Sequence, residues 1–302
     1  MTDTVLILGG SGLFGRNATR AFRQAGWQVR QFDRAADDLV SAARGADVIV
    51  NAWNPPNYNW TQKVSALHAR VIDAARRSGS TVIVPGNVYV FGKDAPRRFG
   101  ETTPHRAENS LGRIRREMEA AYRAAGVQTI ILRGGDFLDV EPSGSWFDQI
   151  LTAKMAKGVF TYPGRSDVPH AWAYLPDMTR AAVLLAEKRA HLRQFEDVPF
   201  PGFTLTGQEL AQIARKVSGQ NLRLKRMSWL PIFLVAPFWK MARGLLEMRY
   251  LWNKPHMLDD EKFNGLLPDF QATPLDDAMF NALEHKINPD QAVARGLAYS
   301  VT

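Results

Sequence analysis

The chain has 302 residues, 45% apolar and 23% charged, enough for one large domain or two closely packed ones around a sizeable core. It contains no cysteine, which excludes disulfides, thiolate zinc sites, iron–sulfur clusters and a cysteine nucleophile. A formal net charge of +8 suits an anionic partner, but the lysines and arginines form no basic run, so no nucleic-acid partner is expected.

The opening Met1-Thr2-Asp3-Thr4 carries no positive charge, so it does not read as an export signal and a cytoplasmic location is expected. Val5-Leu6-Ile7-Leu8 is a short apolar run ending in glycines and reads as a buried parallel strand. Phe14, Ala18, Ala21, Phe22 and Ala25 then recur at helical spacing, stopped by Gly26. Gln28 to Asp33 reads as a second strand and Val48 to Val50 as a third. Val64, Leu67, Val71, Ile72 and Ala75 mark the next helix, closed near Gly79. Thr81 to Val84 and Thr129 to Arg133 are the fourth and fifth strands. The helical stripe Leu111, Ile114, Met118, Ala121 and Ala125 lies between them. Strands alternating with helices predict an α/β, Rossmann-like, doubly wound parallel sheet with its ligand at the carboxyl ends of the strands.

Past about residue 138 the rhythm weakens. Ala171 to Leu175 reads as a strand, Asp177 as the N-cap of a helix over Met178–Lys188, and Thr206 with Glu209 as a capping box. Trp229 to Trp252 is apolar and aromatic, interrupted by Pro231 and Pro237, with Lys240, Arg243 and Arg249 interleaved. It is too short and interrupted for a membrane span and is expected to be a helix with a buried face, the alternative being an interfacial segment. The tail beyond about Asn288 is expected to be peripheral.

The loop Gly9-Gly10-Ser11-Gly12-Leu13-Phe14-Gly15 lies between the first strand and helix. Gly9 permits a tight turn, Gly12 a close approach of backbone to a pyrophosphate, and Gly15 close packing of helix on sheet. The helix opening at Leu13 and Phe14 offers free amides and a partial positive charge to phosphates. Asp33 ends the second strand, where a carboxylate binds ribose hydroxyls and repels a 2′-phosphate, whereas the adjacent Arg34 attracts one. NAD and NADP both remain open as the cofactor.

With these residues in view, the chain resembles the extended short-chain dehydrogenases/reductases of the NAD-dependent epimerase/dehydratase group. Gly9–Gly15 is similar to their nucleotide loop, and Val82 to Gly92 to their fourth strand, which normally runs into serines and Val-Tyr-Gly. Glu101-Thr102-Thr103-Pro104 resembles their Glu-x-x-Pro, Ile131 to Phe137 their Leu-Arg-Pro strand, and Trp172 to Asp177 their Tyr-Val-x-Asp helix entry. The resemblance implies residues 1–137 plus about 168–192 as the NAD(P)-binding part, and about 138–167 plus 193–302 as a smaller substrate-binding part.

The family's Ser/Thr, Tyr and Lys are replaced. Aligned through Gly92, Asn87 stands at the Ser/Thr position, Leu111 at the tyrosine and Arg115 at the lysine. Leu111 moves no proton, Asn87 only hydrogen-bonds, and Arg115 stays charged, suited to a ribose or phosphate. The chain is therefore similar to an atypical branch lacking Tyr-x-x-x-Lys. Tyr89 is a candidate replacement phenol, the alternative being a packed aromatic. His170 and His105 are candidate titratable groups. Asp136 is either a substrate contact or a strand-end cap. The aromatics and amides from Trp53 to Trp60 line a pocket or form a rigid loop. No group of histidines and carboxylates has metal-ligand spacing in the sequence.

The resemblance implies an NAD(P)-dependent oxidoreductase or epimerase acting on a hydroxyl or carbonyl carbon of a small molecule, phosphorylated or nucleotide-linked, such as a nucleotide sugar. Asn87, Tyr89, Arg115 and His170 are its candidate catalytic residues. Gly9, Gly12, Leu13, Phe14, Gly15, Asp33, Arg34 and Arg115 are the candidate cofactor contacts. A non-catalytic dinucleotide-binding sensor or assembly protein is the alternative, and a membrane-peripheral protein with a lipophilic substrate a second one. A homodimer is left open, and membrane contact is not expected.

Overall fold

The structure is a computed structural model describing residues 2–55, 58–61 and 63–287. Pro56, Asn57 and the tail from residue 288 lie outside the described residues. The first part of the chain runs β1 (Thr4–Leu8), α1 (Leu13–Gln24), β2 (Gln28–Gln31), α2 (Leu39–Ala43), β3 (Val48–Asn51), α3 (Lys63–Ser78), β4 (Thr81–Gly86), β5 (Arg98–Phe99), α4 (Ser110–Ala124) and β6 (Thr129–Arg133). It continues as β7 (Asp136–Leu138), β8 (Val159–Tyr162), β9 (His170–Tyr174), α5 (Leu175–Glu187), β10 (Phe195–Pro199), β11 (Phe203–Leu205), α6 (Gly207–Ser218) and β12 (Arg223–Arg226). Last come α7 (Leu230–Val235), α8 (Lys240–Met248), β13 (Met257–Leu258), α9 (Glu261–Leu266) and α10 (Leu275–Leu283).

Six parallel strands form the main sheet in the order β10-β6-β4-β3-β1-β2. The period of two along each strand sends alternate residues to opposite faces. Leu6, Leu8, Ile49, Val82 and Val84 pack with α3 and α4 through Val71, Met118 and Tyr122. Val5, Ile7, Val48, Val50 and Ile83 pack with α1 and α5 through Phe14, Ala18, Phe22, Met178 and Ala182. Each such buried aliphatic contributes about 1.5–3 kcal/mol, so covering both faces holds the doubly wound sheet together. A third cluster, with Phe160, Tyr162, Trp172, Leu210 and Met279 among its members, forms the core of the C-terminal part.

The sheet extends past the expected boundary at residue 192, because β10 pairs with β6 from Phe195 to Pro199. β9 is not a main-sheet strand: it joins β7 and β11 in a separate three-stranded sheet. The helix after it starts earlier than expected, with Tyr174 as N-cap and Pro176 in the first turn. Asp177 therefore lies inside the helix, and its carboxylate accepts the Thr273 amide and hydroxyl, each at 2.7 Å, tying distant chain to α5. Thr206 and Glu209 do form a reciprocal capping box on α6. The apolar stretch from Trp229 is not one helix with a buried face. It is two short helices, and α7 buries none of its residues.

Candidate active site

The chain goes from β1 to β2 on one side and returns to β3 on the other, so the carboxyl ends of β1 and β3 bound a crevice where such sheets bind ligands. Gly9 turns the chain there with φ 77°, and its carbonyl accepts the Gly12 amide at 3.0 Å. A Cβ on Gly15 would lie 2.1 Å from that carbonyl, so no side chain fits. Gly12 differs, since a Cβ there would meet only the Gly9 carbonyl, at 3.3 Å.

Gly12 is the N-cap of α1, so no side chain covers the helix start, and the first turn contains no acidic residue. The first-turn amides, Leu13 and Phe14 among them, have no carbonyl one turn back and lie at the positive end of the helix dipole. Leu13 and Phe14 can contribute only through these amides, because the Phe14 side chain is buried in the core and Leu13 packs against the same cluster. The loop thus fits the diphosphate of a dinucleotide.

Asp33 and Arg34 are both exposed at the end of β2. The Asp33 carboxylate accepts the Ala35 amide at 2.8 Å, which fixes its direction at the crevice rim. The Arg34 guanidinium lies 6.0 Å from the Trp53 ring, which also stands against Gly9 and Phe32.

The Asn87 side-chain oxygen accepts the Tyr89 amide at 3.0 Å, and its main-chain carbonyl accepts the Arg133 guanidinium at 2.6 Å. Leu111 is 4% exposed and belongs to the core under the sheet, its amide held by Glu247 of α8. Tyr89 is half-buried and its hydroxyl lies 3.3 Å from that of Tyr58. Burial pushes both phenols up, and the nearby Asp136 charge adds to this, so both keep their protons at neutral pH. Tyr58 is the single non-glycine residue with positive φ among the described residues, at 52°, and its ring packs against Gly244 of α8. Backbone strain of this kind is concentrated at functional sites.

Arg115 is buried, with no carboxylate bonded to it among the described residues. It donates to Asn54 Oδ1 at 2.9 Å and lies 4.3 Å over the Trp60 ring, while its Nε has no partner among the described residues. Burial lowers its pKa, opposed by Glu119 and the two phenols. A buried guanidinium with an unused donor fits a ribose oxygen or an anionic group. The loop residues Asn54 and Trp60 thus pack on Arg115, and Tyr58 on Tyr89.

His170 is buried, with 2% of its surface exposed. Its ring stacks on Trp252 at 4.4 Å and 9°, and stands edge-on to His256 at 4.4 Å. Its Nε2 lies 2.7 Å from Asp136 Oδ2, whereas its Nδ1 is buried with no partner among the described residues. Asp136 keeps 29% of its side chain exposed. Its charge also reaches Tyr58, Tyr89 and Tyr162.

His105 lies elsewhere. It stands 3.5 Å from both Glu119 and Asp197, so folding brings together a histidine and two carboxylates that no sequence spacing displayed. The Arg133 guanidinium occupies the space between those carboxylates, at 2.8 and 2.6 Å. Sequence reasoning missed Arg133 as an ion-pair centre and missed the packing of Trp252 and His256 on His170. The Leu-Arg motif signalled the arginine, but nothing local signalled its partners.

The fold and the glycine loop define a dinucleotide-binding protein of the Rossmann class. The chain belongs to the NAD dependent epimerase/dehydratase family, whose sequence profile matches residues 5–198. Family membership carries with it an NAD(P) site. Among solved structures, MoeE5 in complex with UDP-glucose and NAD aligns over 98% of this chain and 100% of its own, at 15% identity and TM-score 0.72. L-threonine dehydrogenase from Phytophthora infestans aligns over 94% of this chain and 100% of its own, at 18% identity and TM-score 0.73. A nucleoside-diphosphate-sugar epimerase from Pseudomonas aeruginosa aligns over 98% and 99%, at 17% identity and TM-score 0.69. At these identities the likeness shows a shared fold. No curated protein matches the sequence. Among the described residues, no helix is long and apolar enough to cross a membrane.

Proposed function

We propose that the chain is an NAD(P)-dependent enzyme that oxidises or reduces a hydroxyl or carbonyl carbon of a phosphorylated or nucleotide-linked small molecule, with Asp136 moving the proton. The bond of Asp136 to buried His170, beside two phenols and an undercommitted arginine, carries this reading. Gly9, Gly12, Gly15 and the first-turn amides of α1 hold the cofactor diphosphate. Asp33 and Arg34 meet the adenosine ribose, and Arg115 meets the second ribose or a substrate anion. Bound NAD(P) supplies the hydride acceptor or donor. The partly open Asp136 carboxylate takes the proton of the substrate hydroxyl, or returns it in the reverse direction. Tyr89, kept protonated, donates a hydrogen bond to the same oxygen, and His170 orients Asp136 without touching substrate.

MoeE5, in complex with UDP-glucose and NAD, and the Pseudomonas epimerase support the nucleotide-linked class of substrate. A second reading, binding of dinucleotide without turnover, is favoured by one observation: the family's tyrosine position holds the core residue Leu111. Fluorescence titration with NADH and NADPH, followed by a carbonyl and nucleotide-sugar screen at 340 nm, separates the two. Binding with turnover that Asp136→Asn removes supports the enzyme. Turnover that survives Asp136→Asn overturns the assigned proton carrier. Binding with no turnover across the screen favours the second reading.

A further inference from the structure

Among the described residues, the large apolar side chains left exposed are Leu230, Phe233, Leu234, Val235, Phe238 and Trp239. All fall within ten consecutive positions on α7 and the turn into α8. Phe238 is 93% exposed and Leu234 68%. Single exposed apolar residues are ordinary, but a contiguous set gathered on one element marks a contact surface.

Along the chain, the charge flanking this patch is of one sign. From Arg223 to Leu246 the chain carries Arg223, Lys225, Arg226, Lys240 and Arg243, all exposed, and no acidic residue at all. Arg249 adds a guanidinium 5.2 Å over Trp229 and 5.6 Å over Phe233. The first acid after them, Glu247, is turned inward to Asn109 and the Leu111 amide. Apolar side chains bordered by cations match the two layers of an anionic bilayer surface, acyl chains beneath phosphates. A second copy of the chain fits less well, because a two-fold interface would set this cationic border against itself.

We propose that α7 and the α7–α8 turn form a docking surface for an anionic lipid bilayer. Phe233, Leu234, Phe238 and Trp239 enter the interface, while Arg226, Lys240 and Arg243 meet lipid phosphates. The docked element is continuous with α8, whose Gly244 backs the Tyr58 ring and whose Glu247 holds the start of α4. Docking is independent of whether the site turns over a substrate.

Co-sedimentation of the full chain with vesicles tests this, using phosphatidylcholine alone or with about one third phosphatidylglycerol. The protein is expected to sediment with the anionic vesicles, and less as salt rises. The pair Leu234→Asp and Phe238→Asp is expected to weaken binding by at least about tenfold. Both positions are exposed, so the thermal midpoint should hold. Lys240→Glu with Arg243→Glu should abolish the preference for anionic lipid. Absence of sedimentation, or equal binding by the Asp pair, overturns the proposal. So does a concentration-dependent dimer that the Asp pair dissolves in a protein that ignores vesicles.

Discussion

Asp136 and His170 share a 2.7 Å hydrogen bond across very unequal environments, with 29% of the Asp136 side chain open and 3% of His170's. The imidazole is fixed by the Trp252 ring stacked on it, so it serves as a rigid mount for the carboxylate. Asp136→Asn is expected to reduce turnover by about 10²–10⁴ while cofactor binding is kept. His170→Gln still donates to the carboxylate and should cost less than His170→Phe, mainly in kcat. Equal loss in both, with unchanged fold by circular dichroism, would contradict the positioning role.

Tyr89 and Tyr58 form a hydroxyl pair held protonated by burial, so the phenol offers a hydrogen bond and does not take up a proton. Tyr89→Phe should therefore lower kcat/KM by roughly ten- to a hundredfold without moving the limbs of its pH profile. A general base would instead leave a displaced limb. A pH profile that shifts in Tyr89→Phe transfers the proton role from Asp136 to the phenol.

Gly12 and Gly15 are expected to respond differently to alanine. At Gly12 the backbone is extended, with φ −79°, and a methyl group would crowd the Gly9 carbonyl only slightly, at 3.3 Å, so Gly12→Ala should still fold after a small local adjustment. Its loss should appear in NADH and NADPH affinity, by at least about tenfold. Gly15→Ala drives a methyl group into the Gly9 carbonyl, and should lower both affinity and unfolding free energy, the latter by about 1–3 kcal/mol. Isothermal titration beside urea unfolding distinguishes the two.

These residues differ in how much of their role the sequence shows. The glycine loop is legible because its requirements are local: a strand, a turn and a helix start within a few residues. The alternating strands and helices are legible for the same reason, and so is Leu111 as the departure from the family's tyrosine. Asp136 is ambiguous in sequence because a strand-end carboxylate reads equally as a cap. Only the fold joins it to His170, and His170 to Trp252 and His256 from the far end of the chain. The helix begins ahead of Asp177 because Pro176 sits in a first turn, which proline tolerates, while the Asp177 carboxylate serves Thr273 instead of capping. The stretch from Trp229 has the composition of a core helix. Its exposure depends on which faces the rest of the fold leaves uncovered, and no local pattern encodes that.

Arg133 is fully buried between Glu119 and Asp197 and also reaches the Asn87 carbonyl. Burial disfavours its charge, but the two carboxylates outweigh this, and Arg133 with His105 holds Asp197 down to about 2. Arg133→Met is expected to destabilise by about 3–5 kcal/mol, because it strands two buried carboxylates. Adding Glu119→Gln and Asp197→Asn should recover part of that loss in urea unfolding. No recovery would show that the arginine acts through packing, not charge.

Two histidines make stability depend on pH in a direction fixed by their environments. His68, bonded to Tyr122 at 2.9 Å, and His256, against His170, are both pushed from 6.5 down to about 3, chiefly by burial, with Arg115 adding at His68 and His170 at His256. Between those values the unfolded chain binds protons that the folded chain refuses. Their stabilising contribution is therefore complete above about 6.5 and is lost as pH falls toward about 3, by roughly 1.4 kcal/mol per pH unit for each histidine. Asp197 joins only lower, as pH falls from 3.8 through about 2, because its folded value is depressed from that ordinary one. Urea unfolding at stepped pH should thus show a decline that begins near the ordinary histidine value, well above the carboxylate range. His68→Asn, which keeps a polar side chain toward Tyr122, should remove about half of the two-histidine slope. A stability curve that stays flat down to about pH 5 would mean that neither histidine is held neutral by the fold.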